Sequence, residues 1–474
     1  MYKGKRRYRK GTKVKRRKIW ELCVLMTLFA GIIGIFTFMV QIVWAAPVSH
    51  TMVSEIPEKD IIPEESREKE MDGNVSGNEI PVRENAPEEP HIPLIVIDAG
   101  HGGEDSGCVE GGIYEKDINL QIALLTKSKL EEKGFQVMMV RSTDEYLEKE
   151  ERVELANRCQ ADAYISIHQN TYEGSDKSVC GIETWYDGTD SARDSGRLAL
   201  LVHQETIKST GATERELLDQ ADFCVTGKTL MPSCLIETGF LSNPQECSLL
   251  STAEYQEKVA EGIAEGVDLY FNPRTMYLTF DDGPSEECTD KVLDVLKEKN
   301  VKATFFLIGE YVEKYPEVAK RIAAEGHAIG IHCYRHDYGV LYESKESYLE
   351  DFQKAYDTIY KVTGVETKLF RFPGGSVNAY NEDVREEIIE ELTNRGFIYF
   401  DWNAGLEDAA GNYEPQQLIE NARSTTLGRK RIVMLAHDRV LNTALCLGDL
   451  IDQFPEYRME LLTDETEPIQ FPIP

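Results

Sequence analysis

The sequence predicts an α/β protein in three parts: an N-terminal transmembrane helix, a three-layer α/β domain with a mostly parallel sheet, and a distorted (β/α) barrel. Three observations support this prediction. Residues 22–43 carry no charge, two successive stretches alternate between strand and helix patterns, and short polar motifs follow several predicted strands. At 474 residues the chain is too long for one ordinary domain and suits two domains of about 200 residues.

The N-terminal region is predicted to anchor the chain in a membrane. Residues 1–20 contain eleven Lys or Arg and no acidic residue, and the uncharged run 22–43 follows directly. As a helix, this run spans about 33 Å, which is enough to cross a hydrocarbon core of about 30 Å. Because basic residues stay on the cytoplasmic side, we predict a cytoplasmic segment at 1–18, a transmembrane anchor at 19–45 and an extracellular remainder.

A cleaved signal peptide is the competing interpretation of this region. Val43-Trp44-Ala45 places small residues where a signal peptidase cuts. The apolar run is longer than the roughly 7–15 residues of a signal peptide, which favours the anchor. The expected location is therefore the cell membrane, with one transmembrane pass, or secretion if the segment is cleaved.

Residues 46–92 are predicted to be a disordered acidic linker. Between Glu55 and Pro90 the chain carries twelve acidic residues and four basic ones, a composition that cannot bury enough apolar surface to fold. The net charge of the whole chain is −31, which argues against nucleic acid as a partner. Nine cysteines lie beyond the anchor, and this odd number does not suggest a disulfide framework.

The first domain is predicted at 93–272 from alternating strands and helices, which favour a largely parallel sheet. Its predicted strands are Leu94–Asp98, Phe135–Val140, Tyr164–Ile167, Ile182–Tyr186 and Cys234–Ile236, and its helices are 115–132, 149–159, 193–208 and 252–270. A second alternation at 273–474 has about seven βα units and predicts the barrel. Its predicted strands are Met276–Phe280, Ala303–Leu307, Ala328–Ile331, 368–371, 397–401 and 431–436, with helices at 287–299 and 311–325.

Four residues of the first domain indicate a metal site. His101, His168 and Glu237 each follow or end a predicted strand, and Glu115 opens a helix. Two His and one carboxylate form a known catalytic zinc set, and a second Glu supplies a base. Each residue alone is more simply explained as a helix cap, a core residue or a surface acid, but the four together favour the metal site.

The motifs of this domain resemble the zinc-dependent N-acetylmuramoyl-L-alanine amidase family. They are, in order, IDAGHGGEDSG, YEKDINL, RSTD, SIHQN and IETGFLSN. The resemblance implies that His101, Glu115 and His168 bind Zn²⁺, that Glu237 is the catalytic carboxylate, and that the bond between the muramic lactyl group and L-alanine is hydrolysed. Gln169 departs from the family pattern, which has a small residue there.

The second domain also carries clustered metal-binding residue types. Asp281 and Asp282 are adjacent at a strand end, where two like charges are costly without a cation. His332 and His336 have an i,i+4 spacing, which predicts that both imidazoles lie on one side of a helical turn. The simpler interpretation of this histidine pair is a surface helical turn with no ligand.

The ordered motifs of the second domain resemble the polysaccharide deacetylase family, also called the NodB-homology family. They are TFDDGPS, HCYRH, RFPGGS, FDWN and LAHD. The resemblance implies a divalent metal, Zn²⁺ or similar, at Asp282, His332 and His336. Asp281 is the implied general base and His437 the implied general acid.

Further roles in this domain follow from the same resemblance. Arg371 and Asp401 are implied to orient the catalytic groups, and the Gly374 amide to stabilise the oxyanion. Trp402 and Leu435 are implied to wall the acetyl pocket. Cys333 replaces the usual Ser or Thr, so we expect weaker support of the metal and sensitivity to oxidation.

Together these features predict a bifunctional peptidoglycan hydrolase, with peptidoglycan and the membrane as partners and no dedicated protein partner. The alternatives are a wall-binding regulatory protein with an inactive site, or a deacetylase acting on chitin or xylan. If both activities meet on one muramic acid, the product is muramic lactam, the modification associated with spore cortex. RFPGGS instead looks more like the branch of the family that acts on N-acetylglucosamine.

Overall fold

The computed structural model describes residues 91–221, 223–411 and 413–473. The predicted cytoplasmic segment, the predicted anchor and nearly all of the predicted linker lie outside these ranges. Within the ranges, no helix is both long enough and apolar enough to cross a membrane. All nine cysteines of this part of the chain are free thiols.

The first domain is a six-stranded sheet between two layers of helices. Its elements are β1 (Leu94–Ala99), β2 (Val109–Glu110), β3 (Ile113–Tyr114), α1 (Glu115–Glu132), β4 (Gln136–Met139), α2 (Lys149–Arg158), β5 (Ala163–Asn170), β6 (Ile182–Tyr186), α3 (Ser195–Thr210), β7 (Glu214–Asp219), α4 (Cys224–Gly227), β8 (Ser233–Phe240), α5 (Pro244–Leu250) and α6 (Ala253–Phe271). The strand order is β4-β1-β5-β8-β6-β7. Apolar residues of α1, α3 and α6 pack on one face, and those of α2 and α4 pack on the other. This burial on both faces explains the nearly continuous apolar run of β1.

Two strands of this sheet differ from the sequence-based expectation. Strand β6 runs antiparallel to β8, and β7 continues parallel to β6 at the edge of the sheet. Strand β7 was not predicted, because it is a solvent-facing edge strand and its first residues, Glu214 to Glu216, are exposed and polar. The sequence therefore lacks the apolar alternation that marks a half-buried strand.

The second domain is a parallel sheet curled towards a barrel. Its elements are β9 (Arg274–Asp281), α7 (Cys288–Glu298), β10 (Thr304–Ile308), α8 (Gly309–Lys314), α9 (Pro316–Ala324), β11 (Ala328–Cys333), α10 (Tyr338–Leu341), α11 (Lys345–Thr363), β12 (Leu369–Phe370), α12 (Arg385–Asn394), β13 (Ile398–Tyr399), β14 (Ala404–Gly405), α13 (Pro415–Thr426), β15 (Arg431–His437), α14 (Leu441–Asp452) and β16 (Tyr457–Glu460). The strand order is β13-β12-β11-β10-β9-β15-β14. Most strands that are consecutive in the sequence are therefore neighbours in the sheet, as in a barrel. Among the described strands, β13 and β14 are not paired, so the barrel is open there.

The C-terminal tail packs against this opening. The Asp401 amide, between β13 and β14, donates to the Ile469 carbonyl at 2.7 Å, and the Phe471 amide donates to Asp401 Oδ2 at 2.7 Å. The Phe471 ring packs edge-on against Trp402, and Leu462 joins the cluster of buried side chains inside the sheet. Just before the tail, β16 pairs with the first half of β9. The tail thus completes the second domain.

The predicted helix 311–325 is two helices in the structure. Helix α8 ends at Lys314, and Pro316 begins α9 at its first position. Proline has no amide hydrogen to continue a helix but fits a first turn, so the chain breaks at Tyr315.

Two candidate metal centres

The first centre lies where β1, β5 and β8 end. His101 follows β1, His168 lies near the end of β5, Glu237 lies in β8, and Glu115 is the first residue of α1. The carboxyl ends of parallel strands meet at one edge of a sheet, which brings residues far apart in the sequence together. The backbone at Gly100 passes so close to His168 that a Cβ there would lie 2.2 Å from its ring.

His101, Glu115 and His168 form a compact set of ligand atoms. His101 Nε2 and His168 Nδ1 lie 3.1 and 3.0 Å from Glu115 Oε1, and the three ligand atoms are all within 4.8 Å of one another. Burial opposes ionisation of Glu115, but hydrogen bonds from the two histidines outweigh it and hold the pKa of that carboxyl well below its usual range. The set fits a divalent cation, which would take the place of the protons between these groups.

Neighbouring polar groups fix the orientation of these ligands. Asp105 Oδ2 lies 2.7 Å from His101 Nδ1, which leaves Nε2 directed at Glu115. The Cys108 amide donates to Glu115 Oε2 at 2.9 Å, and the Gln169 amide donates to Oε1 at 3.1 Å. The Gln169 side chain donates to Asn119 and accepts from Thr238 on the neighbouring strand β8, so its described hydrogen bonds go to residues other than the ligands. This departure from the family pattern is therefore accommodated.

Glu237 lies beside this set without being part of it. Its Oε2 atom is buried and has no hydrogen-bond partner among the described residues. Burial, and then the charges of Glu115 and Glu183, raise the pKa of the Glu237 carboxyl well above its usual value. A cation at the neighbouring ligands would act in the opposite direction and lower the pKa of the Glu237 carboxyl. A cleft of about 420 Å³ gives access to Glu237, His101 and His168.

A buried network behind His101 escaped the sequence analysis. Arg152 Nη1 donates to Asp98 Oδ1 at 2.7 Å, and Arg152 Nη2 donates to the His101 carbonyl at 2.9 Å. Tyr164 and Ser166 donate to the other oxygen of Asp98. The network fixes the backbone of His101, whose φ of 61° is unusual for a residue other than glycine. The polar helix that carries Arg152 gave no signal of this role.

The second centre lies at the carboxyl ends of β9 and β11. Asp281 ends β9, and Asp282 follows it with a φ of 76°. His332 Nε2 and His336 Nε2 lie 3.4 and 3.6 Å from Asp282 Oδ1. Within the described part of the chain that oxygen is buried without a hydrogen-bond partner, and the three ligand atoms lie within 4.8 Å of one another. This arrangement also fits a divalent cation.

The predicted helical turn for His332 and His336 is wrong. His332 lies in β11, and His336 follows the bend at Tyr334 and Arg335. Strand β11 is held in extended form by pairing with β10 on one side and β12 on the other. Tertiary pairing therefore overrides the local spacing, and a turn after the strand brings the two rings to within 5.4 Å.

Arg371 connects most of the groups in this centre. The residue is fully buried; its Nη1 donates to Asp281 Oδ1 at 2.9 Å, and its carbonyl lies 2.9 Å from His332 Nδ1, which directs Nε2 at Asp282. Asp401 contacts Arg371 through its backbone carbonyl, at 3.2 Å from Nη2. The Asp401 side chain instead accepts from the amide and hydroxyl of Ser376.

His437 lies at the end of β15 and is paired with a residue that the sequence analysis missed. His437 Nδ1 lies 2.8 Å from Asp408 Oδ1, and the His437 amide donates to Asp408 Oδ2 at 2.8 Å. Burial lowers the pKa of His437, but the hydrogen bond and charge of Asp408 outweigh it and raise that pKa to about 9. Asp408 follows β14 in a loop without a recognisable motif, so only the structure identifies it.

We expect Asp408→Asn to shift the alkaline limb of the pH profile of the second centre to lower pH. A general acid must be protonated, so its activity is present below its pKa and lost as the pH rises through it. Removing the carboxylate lowers the pKa of His437, by about 1–3 units for a neighbouring charge. A bound cation changes the pKa of His437 in wild type and variant alike, so the measurement is the difference between the two pH profiles. An unchanged alkaline limb would contradict the assignment of His437 as a general acid supported by Asp408. The pH profile of the first centre serves as the internal control.

The remaining residues singled out from the sequence lie at different positions around the second centre. Gly374 is exposed, with a φ of 76°, and its amide lies in the turn after β12. Trp402 packs over Arg371 at 5.7 Å, and Leu435 lies on the same side of β15 as His437 by strand alternation. Cys333 points to the other side of β11, into the core. Burial raises the pKa of its thiol well above the usual value, which disfavours the thiolate that oxidation requires.

Comparison with known proteins assigns each domain to a family of amide hydrolases. Residues 95–268 match the family model described as N-acetylmuramoyl-L-alanine amidase, and residues 269–392 match the one described as polysaccharide deacetylase. The chain belongs to both families and is a peptidoglycan-modifying hydrolase of carbon–nitrogen amide bonds. The family predictions from the sequence are confirmed.

Three curated relatives illustrate the two matches. The germination-specific N-acetylmuramoyl-L-alanine amidase of Bacillus subtilis is 33% identical over 195 residues, which cover 38% of this chain and 81% of the relative. The putative polysaccharide deacetylase YheN of B. subtilis is 34% identical over 205 residues, which cover 41% of this chain and 70% of the relative. A peptidoglycan-N-acetylglucosamine deacetylase of Bacillus cereus is 36% identical over 170 residues, or 35% and 60%, so this chain spans less than two thirds of that relative.

Proposed function

We propose that the two domains act on the same polymer, peptidoglycan. The first domain hydrolyses the amide bond between N-acetylmuramic acid and L-alanine with Zn²⁺, and the second removes the acetyl group from an amino sugar with Zn²⁺ or a similar divalent cation. The supporting observation is that each three-ligand cluster has its own adjacent carboxylate, Glu237 in one case and Asp281 in the other. A binding protein has no need of such a base at either centre.

In the first domain, Glu237 is the residue that moves the proton. A divalent cation held by His101, Glu115 and His168 would polarise the scissile carbonyl and lower the pKa of water. Glu237 takes a proton from the attacking water and returns it to the amine of L-alanine. Two histidines and one carboxylate are a ligand set that suits zinc.

In the second domain, acid and base are separate residues. Asp281, held by Arg371, takes the proton from water, and His437, held by Asp408, gives a proton to the leaving amine. We assign to the Gly374 amide the hydrogen bond to the oxyanion of the tetrahedral intermediate. The carboxylate of Asp408 raises the pKa of His437, which keeps that residue protonated as a general acid must be.

The amino sugar has two candidates. N-acetylglucosamine is favoured by the RFPGGS motif and by the name of the B. cereus relative. N-acetylmuramic acid is favoured by the fusion itself, because an amidase leaves a free lactyl carboxylate and a deacetylase frees an amine on the same ring. The amine can condense with the carboxylate, with loss of water, to give muramic lactam, and the intramolecular reaction has a large effective-molarity advantage.

Mass spectrometry of peptidoglycan treated with the purified chain tests these proposals. Released stem peptides with glucosamine as the deacetylated sugar would support the first candidate. Muramic lactam, or muramic acid without peptide and acetyl group, would support the second. If neither peptide nor acetate is released, the enzymatic proposal fails and a wall-binding role replaces it.

We further propose that residues 22–43 anchor the chain and that both catalytic domains lie outside the cell. The support is the uncharged run, the basic residues before it, and an acidic linker long enough to hold the domains away from the membrane. Protease added to intact cells should then degrade both domains.

A further inference from the structure

A column of stacked aromatic rings runs from the core of the second domain to its surface beside the metal centre. In order outward, the rings are those of Phe352, Tyr348, Tyr342, Tyr338 and Tyr380. Neighbouring rings lie within 13° to 22° of parallel. The inner residues Phe352 and Tyr348 are 2% and 1% exposed, whereas Tyr380 is 60% exposed. The column therefore ends in a ring with one face in solvent.

Tyr338 places this exposed ring next to the reacting groups. Its ring packs edge-on against the metal ligand His336, with centroids 5.0 Å apart. Its hydroxyl lies 3.0 Å from the point where a Cβ on Gly374 would stand. The outer side of Tyr338 is covered by Tyr380, at 4.9 Å between centroids. A single ring thus separates Tyr380 from the groups that would hold the metal and the oxyanion.

The backbone of Tyr380 is tied to the same turn as Gly374. The Tyr380 amide donates to Asn378 Oδ1 at 2.8 Å, and Asn378 Nδ2 donates to the carbonyls of Gly375 and Pro373. The ring is thus fixed on one face by Tyr338 and through its backbone by this turn. The Tyr380 ring is held in place although it is largely exposed, so burial in the core does not account for its position. An exposed apolar surface beside a candidate active site indicates a binding surface for substrate.

We propose that the outer face of Tyr380 is a sugar-stacking subsite that takes the pyranose ring next to the N-acetyl sugar being deacetylated. This inference rests on the proposed function, because it takes a linked amino-sugar chain as the substrate. One face of a pyranose ring presents C–H groups that pack against an aromatic face. Since the Tyr380 ring is already ordered, binding a sugar there costs little conformational entropy.

Kinetics on substrates of different length test the subsite. The substrates are the N-acetylglucosamine disaccharide, the pentasaccharide and an acetyl ester without sugar, and the variants are Tyr380→Ala and Tyr380→Phe. Tyr360→Ala is the matched control, because Tyr360 is 47% exposed in the same domain, near the end of α11 away from the metal centre. For Tyr380→Ala we expect KM for the pentasaccharide to rise about 2- to 10-fold, the range of an aromatic contact. Its kcat should stay constant, the ester should be unaffected, and Tyr380→Phe should behave as wild type.

The outcomes separate this subsite from the proposed function. An unchanged KM for Tyr380→Ala, or an equal loss on all three substrates, would overturn the subsite, since the second result indicates a structural role. Calorimetric binding of the pentasaccharide to the full chain is measured in parallel. If wild type binds the sugar without releasing acetate and Tyr380→Ala loses that binding, the subsite stands and the deacetylase proposal fails. If the pentasaccharide neither binds nor reacts, both fail.

Discussion

Glu237→Gln is expected to lower stem-peptide release by about 10²- to 10⁴-fold, the usual contribution of a general base, while zinc stays bound. The reason is structural: Glu237 lies beside a ligand set that is complete without it, and one of its oxygens has no hydrogen-bond partner within the described residues. Glutamine keeps the shape of the side chain but cannot accept the proton. The measurements are peptide release from peptidoglycan and the zinc content of the purified variant.

Glu115→Gln is the matched control for this prediction. Glu115 contacts both histidines of the first centre, so its replacement should remove zinc and activity together. If Glu237→Gln also loses its zinc, Glu237 is a ligand rather than a base and the assignment is wrong. Deacetylation by the second domain should be unchanged in both variants, which checks that the chain is folded.

Asp281→Asn is expected to lower deacetylation by about 10²- to 10⁴-fold and to leave amidase activity near wild type. Asp281 accepts a hydrogen bond from the buried Arg371, and none of its described partners belongs to the first domain. Asparagine retains an acceptor for Arg371, and Thr279 and the Phe400 carbonyl hold the guanidinium as well. Acetate release and peptide release, measured on one preparation, give both activities.

Thermal unfolding must be measured in the same experiment, because Asp281→Asn removes the charged partner of the buried Arg371 guanidinium. In other proteins, breaking a buried ion pair in this way lowers the free energy of unfolding by about 3–5 kcal/mol. A variant that unfolds at the wild-type temperature and loses both activities would refute the independence of the two centres. Asp282→Asn provides the comparison, since it should lose the metal as well as deacetylation.

The ligands could be predicted from the sequence because their positions follow from local rules. His101, His168 and Asp282 lie at or just after strand ends, and parallel strands bring these ends to one edge. The residues that hold the ligands could not be predicted in the same way. Arg152 and Asp408 lie in a polar helix and a loop, and only tertiary packing brings them to their partners.

Two further differences show where local patterns are insufficient. The spacing of His332 and His336 predicted a helical turn, but pairing with both neighbouring strands keeps His332 in β11. The contacts of the C-terminal tail with Asp401 are made largely by backbone groups, which any residue type carries. No pattern of side chains could have indicated them.

The late position of the tail has a consequence for synthesis. The helices and strands of the first domain are complete at Phe271, so this domain can fold while the remainder is still being translated. The first strand of the second domain, β9, pairs along its first half with β16. Strand β16 lies close to the last residues of the chain. Until residues 457–471 emerge, half of one edge of β9 has no partner and is open to pairing with other chains. A ribosome that stops shortly before this point would release a molecule with a finished first enzyme and an unfinished, aggregation-prone second one.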